Sequence, residues 1–206
     1  MSFAVTLGKI VTAANENEAK ELFLRRKEHG IGGVIFTPEI NIPKWTDEQK
    51  KQLTECLFRT NLASPWKSEF KPTFEWARAV GTIPEELVSI STGFNLSQNP
   101  RSIRFLNNDD LAEDAHRDLG ASEGQIHLHI EGQGLMCANP VGEAPVQLRT
   151  KDADGEMINL KDFNKLVFQD RKIEIITLKE GQAIAFDDSM VHLSSNGPRF
   201  RVITFG

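Results

Sequence analysis

The pattern of hydrophobic and polar positions predicts helices near the start of the chain. Apolar residues recur at helical spacing over 15–28, with an asparagine near the start and Gly30 just past the end. The short apolar run over 33–36 predicts a buried strand. A second helix is predicted from Thr46, because its hydroxyl and a glutamine three residues later fit a capping box. Further short helical segments are predicted over 72–88, broken by glycine and proline.

After residue 89 the period changes to the alternation that is typical of half-buried strands. Segments of this kind are 103–105 and 126–131, and the segments 173–178, 183–186 and 201–205 are β-like as well. Short strands separated by turn residues predict an antiparallel sandwich or barrel. The chain is therefore predicted to be one α+β, mainly β domain over residues 1–206. In it a helix-rich N-terminal support, residues 1–100, packs on one side of a β core, residues 101–206.

The size and charge of the chain narrow its class. Its 206 residues suffice for one domain with a substantial core and are too few for two. The net charge of -5 and the pI near 5.6 argue against nucleic acid and against a polybasic membrane contact. No apolar stretch approaches the ~20 residues that a membrane span needs. The chain has two cysteines, Cys56 and Cys137, which are too few for a disulfide framework, so we expect a cytoplasmic protein. We expect it to be a monomer or a homodimer.

Four of the five histidines fall in the β-like half, and one of them begins a metal-ligand pattern. In His116-Arg117-Asp118 the first and third residues would point to the same side of a strand. An imidazole and a carboxylate so placed can occupy two adjacent corners of an octahedral site, with a histidine from a distant strand as the third. This is the arrangement of non-haem iron(II) oxygenases. Taken alone, the triplet is more typical of a surface turn than of a metal site.

The run from Gly181 to Arg201 supplies the distant histidine, His192, and an arginine nine positions later. The residues around Arg201 are mostly apolar, which predicts that the aliphatic part of its side chain is buried. A buried arginine requires an anion, because an uncompensated buried charge is very costly. Its planar fork suits a carboxylate, and the distal carboxylate of 2-oxoglutarate is one candidate. A salt bridge to one of the acidic residues is the alternative.

This run resembles a known family signature. The letters EGQAIAFDDSMVHLSSNGPRFRVITF closely resemble the C-terminal signature of the aspartyl/asparaginyl β-hydroxylase family of 2-oxoglutarate dioxygenases, whose most specific element is FDDS-x-x-H. His116 and the strand QIHLHIEG resemble the upstream half more weakly. The resemblance covers about the last ninety residues. It implies a double-stranded β-helix (a jelly-roll, cupin-like core) that uses iron(II), 2-oxoglutarate and oxygen.

The resemblance also implies roles for the metal-site residues. His116 and His192 would be iron ligands. Asp118 stands where some members of the family have glycine, so a complete facial triad is expected. Hydroxylation is then the expected outcome, because the carboxylate fills the position that halogenating relatives leave open to halide.

On the co-substrate side, the resemblance implies that Arg201 binds 2-oxoglutarate. His129 stands at the position of the family's strand histidine, where it could donate a hydrogen bond to the same molecule. His127 stands where an arginine is common, which leaves the second contact to 2-oxoglutarate open. An insertion over 151–169 has no counterpart in the family and could form a lid over the substrate.

The predicted function is hydroxylation of an unactivated C–H bond in an amino acid, peptide side chain or related small molecule, with release of succinate and CO2. Two alternatives keep a metal. His129-Ile130-Glu131 is itself an H-x-E pair of the kind used by taurine-dioxygenase and clavaminate-synthase-like oxygenases. A cupin-type metalloenzyme that does not use 2-oxoglutarate also fits the spacing from Gly181 through His192 to Asn196 loosely. A third alternative is a β-barrel binding domain whose site has decayed.

Overall fold

The computed structural model describes a β-rich fold with two facing sheets and a short third sheet. Residues whose structure is described are 4–40, 46, 48, 93–94, 96, 100–106, 123–132, 134–141, 147–149, 173–194 and 199–205. Within them lie two helices, α1 (Glu16–Leu24) and α2 (Arg26–His29). The strands of the same residues are β1 (Ala4–Thr6), β2 (Lys9–Thr12), β3 (Ile31–Phe36), β4 (Pro100–Leu106), β5 (Gln125–Gly132), β6 (Leu135–Pro140), β7 (Gln147–Arg149), β8 (Ile173–Thr177), β9 (Ala183–Phe186), β10 (His192–Ser194) and β11 (Arg199–Phe205).

The strands pair almost entirely in antiparallel fashion. The large sheet has the order β2-β3-β9-β5-β11-β4, the second sheet has the order β10-β6-β8, and β1 pairs with β7. Among the described pairings the parallel one is β2 with β3. These two strands are joined by α1 and α2, the kind of helical crossover that a parallel pair requires. The N-terminal part therefore adds strands to the large sheet and does not serve only as a helical support.

Local signals explain where the helical segment begins and ends. Asn15 caps α1, since its Oδ1 accepts the N–H of Glu18 at 2.9 Å. Gly30 ends α2 in the left-handed region with φ 63°, where a side chain would be strained. The single predicted helix is divided in two at Arg25, whose ψ of 10° departs from helical values, directly before the buried Arg26. Neither described helix has the length and apolar composition needed to cross a membrane.

The two faces of the large sheet bury different clusters. On one face Phe23 of α1 belongs to a cluster with Ile126 and Leu128 of β5. On the opposite face Phe186 of β9 belongs to a cluster with Cys137 of β6. Helix α1 thus covers one side of the large sheet and the second sheet covers the other. The central strands are buried on both sides, as the unbroken burial of β3 and β9 reflects.

The strands predicted in the C-terminal half are present with small changes of bounds, so the β-rich architecture is confirmed. The predicted segment 183–186 is β9, and the segments 173–178 and 201–205 correspond to β8 and β11. Apart from residues 46 and 48, the helix predicted from Thr46 lies outside the described residues, as do those predicted over 72–88.

Candidate functional site

Strand β5 presents a row of polar side chains to the space between the two sheets. Its Ile126, Leu128 and Ile130 pack in the cluster beneath α1. Since alternate residues of a strand point to opposite faces, Gln125, His127 and His129 face the second sheet. Their exposed fractions are 0%, 4% and 3%. A few convergent polar groups in an otherwise apolar interior are typical of a binding site.

His192 meets this row from the opposite sheet. It begins β10, lies opposite Cys137 of β6 and is 2% exposed. Its ring centroid lies 5.9 Å from that of His127, with the ring planes at 81°. Phe186 packs edge-on against both rings, at 4.8 Å from His127 and 5.1 Å from His192. Two imidazoles at a separation of this order can flank one ion, because metal–nitrogen bonds are about 2.1 Å long.

The remaining predicted residues of β5 lie farther along the strand. His129 is two residues, or ~7 Å, beyond His127, and its Nε2 lies 3.0 Å from the carbonyl oxygen of Gly132. On β11 the backbone of Arg201 is directly opposite His129. Glu131 is exposed and lies ~13 Å beyond His127. The row therefore runs from His192, past His127, toward the strand position that carries Arg201.

The other predicted metal ligands are not part of the described structure. His116, Asp118 and the insertion over 151–169 lie outside the described residues, and for Arg201 the structure describes the backbone position. Within the described part of the chain, no group of three or more His, Cys, Asp or Glu side chains is arranged to hold a metal ion. The described residues thus contribute one proposed ligand, His192, and its surroundings.

The conspicuous Asp-Asp-Ser of the signature builds the turn from β9 to β10. Asp187 is 4% exposed, and its Oδ1 accepts the N–H of Ser189 at 3.0 Å and the hydroxyl of Ser189 at 2.6 Å. The N–H of Asp187 donates to the carbonyl of Gly32 at 3.1 Å. Gly8 and Gly32 allow Ser189 to approach closely, since an added Cβ would lie 2.7 Å and 2.8 Å from its Oγ. The turn is therefore anchored on the N-terminal strands.

Four residues contribute to the site although the sequence did not assign them a role in it. Phe186 and Asp187 lie inside the FDDS motif, so a signal was available, but the motif does not say what either side chain contacts. Gln125 precedes His127 by two residues, and the alternation of β5 was enough to place it on the same face. Arg26 gave no signal, because a charged residue in a polar helix is usually exposed.

Cys137 leads to a prediction about thiol chemistry. The residue is fully buried, and this burial raises the pKa of its thiol because the thiolate would be desolvated. The nucleophile in alkylation is the thiolate, so we expect Cys137 of the native protein to resist iodoacetamide near neutral pH and to react after unfolding in guanidinium. Peptide mapping by mass spectrometry measures this. Modification of the native protein at the unfolded rate would contradict the burial.

Comparison with known proteins adds little to this description. No protein-family model matches the chain, and no curated protein matches it in sequence. Among solved structures, one that is similar is an N-substituted L-amino acid dioxygenase from Burkholderia ambifaria AMMD. The match covers 98% of this chain and 94% of that chain, at 11% identity and a TM-score of 0.40. A likeness of this degree carries no argument about function, which rests on the chain's own residues.

Proposed function

We propose that the protein is an iron(II)- and 2-oxoglutarate-dependent dioxygenase that hydroxylates an unactivated C–H bond. The observation that carries the proposal is the conformation of the FDDS-x-x-H segment. The buried Asp187 anchors a partly buried turn, and His192 follows it into the space between the sheets. The ring centroid of His192 lies 5.9 Å from that of His127. When bound there, iron(II) would supply the activation of oxygen, coupled to conversion of 2-oxoglutarate to succinate and CO2.

The order of the strands supports a double-stranded β-helix. The pairs are nested along the chain: the outermost strands of the β core, β4 and β11, pair with each other, then β5 pairs with β9, and β6 pairs with β8. Such nested antiparallel pairing is expected when a long two-stranded ribbon rolls into a jelly roll. In that arrangement the nested partner of β10 would be the chain between β4 and β5. That segment contains His116 and Asp118, so the proposed fold would bring both next to His192.

We assign His116, Asp118 and His192 to the iron. Two imidazoles and one carboxylate on one face of an octahedral ion leave three positions open, which is the donor set of non-haem iron(II) oxygenases. A buried imidazole beside other buried polar groups, as at His192, fits such a site. We prefer this set to one containing Glu131, because Glu131 is exposed and lies ~13 Å along the strand from His127.

The polar row on β5 is suited to a dicarboxylate. A molecule held at one end near His192 would pass His127 and reach the level of His129 after ~7 Å, a distance that a five-carbon dicarboxylate can span. Arg201 belongs to the strand position opposite His129, where its guanidinium could bind the far carboxylate. We therefore propose Arg201, His129 and His127 as the 2-oxoglutarate contacts, with an amino acid, peptide side chain or related small molecule as substrate.

Anaerobic spectroscopy tests the proposal directly. Iron(II) and 2-oxoglutarate together are expected to give a weak visible charge-transfer band with the wild-type protein. Arg201→Ala should remove the band by removing 2-oxoglutarate binding, whereas Arg199→Ala, at the other arginine of β11, should keep it. A screen for succinate release over amino acids and short peptides, with iron(II) and ascorbate, then identifies substrates. Absence of the band, with 2-oxoglutarate binding unchanged in Arg201→Ala, would show the proposal to be wrong.

Two further variants separate the ligand sets. Asp118→Ala is expected to lose iron and turnover, and Glu131→Ala is expected to keep both. The opposite pattern would show that His129 and Glu131, and not Asp118, bind the metal.

A second candidate, a cupin-type metalloenzyme that does not use 2-oxoglutarate, is favoured by one observation. His127 and His192 are close enough to bind one ion together, which would make His127 a ligand rather than a co-substrate contact. His127→Ala separates the two functions. Under the first proposal it weakens 2-oxoglutarate binding and leaves metal affinity nearly unchanged, whereas under the second it weakens the metal itself.

A further inference from the structure

Arg26 of α2 is a buried charged residue outside the proposed metal and co-substrate sites. It is 7% exposed, and its Nε donates to Oδ2 of Asp187 at 2.8 Å. Its guanidinium carbon lies 4.2 Å from the ring centroid of Phe23, a cation–π contact. The neighbouring Arg25 provides a contrast, because its ion pair with Glu28 is more than 60% exposed on both sides. Two adjacent arginines thus have very different surroundings.

The guanidinium of Arg26 joins two distant parts of the chain to its own helical segment. Besides Asp187 in the turn from β9 to β10, its Nη1 donates to the carbonyl of Phe23 at 3.1 Å. Its Nη2 donates to the carbonyl of Glu123, also at 3.1 Å. Glu123 lies two residues before β5 begins and four residues before His127. Asp187 lies five residues before His192. One side chain therefore holds the two segments that lead to the two buried histidines.

The backbone transmits this restraint on the His192 side. The N–H of Met190 donates to the carbonyl of Asp187 at 3.2 Å, and the carbonyl of Val191 accepts from Ala138 of β6 at 3.0 Å. The segment from Asp187 to His192 is thus held by a hydrogen-bonded turn over 187–190 and by a hydrogen bond from β6 at Val191. On the other side, Glu123 enters β5 through Gly124, which has φ 113° and lies against Phe23 and Phe186. Displacing either anchor would move a histidine.

We infer that Arg26 is a positioning residue that sets the spacing between His127 and His192. A buried ion pair is weak grounds for expecting stability, because desolvation opposes the attraction. Its value here is geometric, since a planar guanidinium with fixed donor directions holds Asp187 and Glu123 at a defined separation. The metal-dependent part of this inference rests on the proposed function, but the spacing of the two rings does not.

The first test needs no metal. Histidine side-chain spectra of the full-length protein, labelled with ¹⁵N and ¹³C at histidine, should show His127 and His192 shifted or broadened in Arg26→Gln. His29, which is exposed at the end of α2, should be unchanged, and Arg25→Gln should leave all three as in wild type. Arg26→Lys keeps the charge without the fork and should be intermediate. If Arg26→Gln does not fold, the histidine spectra of Arg26→Lys test the inference instead.

The second test uses cobalt(II) as a probe of the proposed iron site. Arg26→Gln and Asp187→Asn are each expected to raise the cobalt(II) dissociation constant about 10- to 100-fold, the usual effect of losing a residue that orients a ligand. The double variant should be no worse than either single variant, because both remove the same restraint. Arg25→Gln should bind as wild type does.

The outcomes separate the two proposals. If Arg26→Gln and Arg26→Lys lower the melting temperature while the His127 and His192 signals stay as in Arg25→Gln, the ion pair is only structural and this inference fails. If the wild-type protein binds no cobalt(II), the metal assignment fails, and the histidine spectra still decide the role of Arg26.

Discussion

His192→Ala is expected to raise the dissociation constant for iron(II), or for manganese(II) as an air-stable probe, by at least ~100-fold, because losing a ligand should cost no less than losing a residue that orients one. The reason is its position: a buried imidazole at the start of β10, inside the space between the sheets. Without it the remaining proposed ligands, His116 and Asp118, would leave four coordination sites to water. Isothermal titration calorimetry measures the affinity, and the visible band with 2-oxoglutarate should disappear in parallel.

His29→Ala is the matched control, since His29 is exposed at the end of α2. It should bind metal as wild type does. If His192→Ala binds the metal ion with wild-type affinity, His192 is not a ligand. The oxygenase proposal would then lack the one proposed ligand whose side chain the structure describes. If metal binding is lost in His192→Ala and in His127→Ala but not in Asp118→Ala, the cupin-type candidate is favoured.

Phe186→Ala is expected to lower the free energy of unfolding by about 3–5 kcal/mol, the usual cost of deleting a fully buried aromatic side chain. Phe186 has no exposed surface, belongs to the cluster between the sheets and packs edge-on against both His127 and His192. A loss of this size is a large fraction of the stability of an ordinary domain. Urea unfolding followed by circular dichroism measures it, and a shift of the midpoint at constant slope identifies a true change of stability.

Leu24→Ala provides the comparison, because Leu24 is 55% exposed at the end of α1. Leu24→Ala should change the free energy of unfolding by no more than about 0.5 kcal/mol. The free energy of unfolding of Phe186→Ala could instead lie within 1 kcal/mol of the wild-type value, on the order of the effect of a typical surface change. That result would mean that the ring does not hold the two sheets together as described.

Phe186 also connects the proposed chemistry to the core. The same side chain packs between the sheets and against both imidazoles, so it contributes to stability and to site geometry together. A conservative Phe186→Leu variant keeps much of the buried volume and loses the edge-to-face contacts. Any loss of metal affinity in that variant beyond its loss of stability would therefore report on orientation.

The sequence by itself determined the features that depend on near neighbours in the chain. An asparagine cap at Asn15 or Asn17, a helix end at Gly30 and a strand over 183–186 follow from residue type and spacing within a few positions. All three features are present, with Asn15 as the cap. The FDDS-x-x-H run indicates a candidate functional segment on a similarly local basis, through its resemblance to a family signature. The role of Asp187 as the anchor of a turn was hidden inside that motif, because its partners lie elsewhere.

The tertiary structure decided which residues meet. Alternation placed His127 and His129 on one face of β5, but only the pairing of β5 with β9 and of β10 with β6 brings His127, rather than His129, against His192. Arg26 and Asp187 are 161 positions apart, and neither residue carries a local sign of the other. The physical reason is that helices, caps and strands arise from interactions within a few residues. The contacts of a buried site arise from the packing of whole sheets, whose register no single segment encodes.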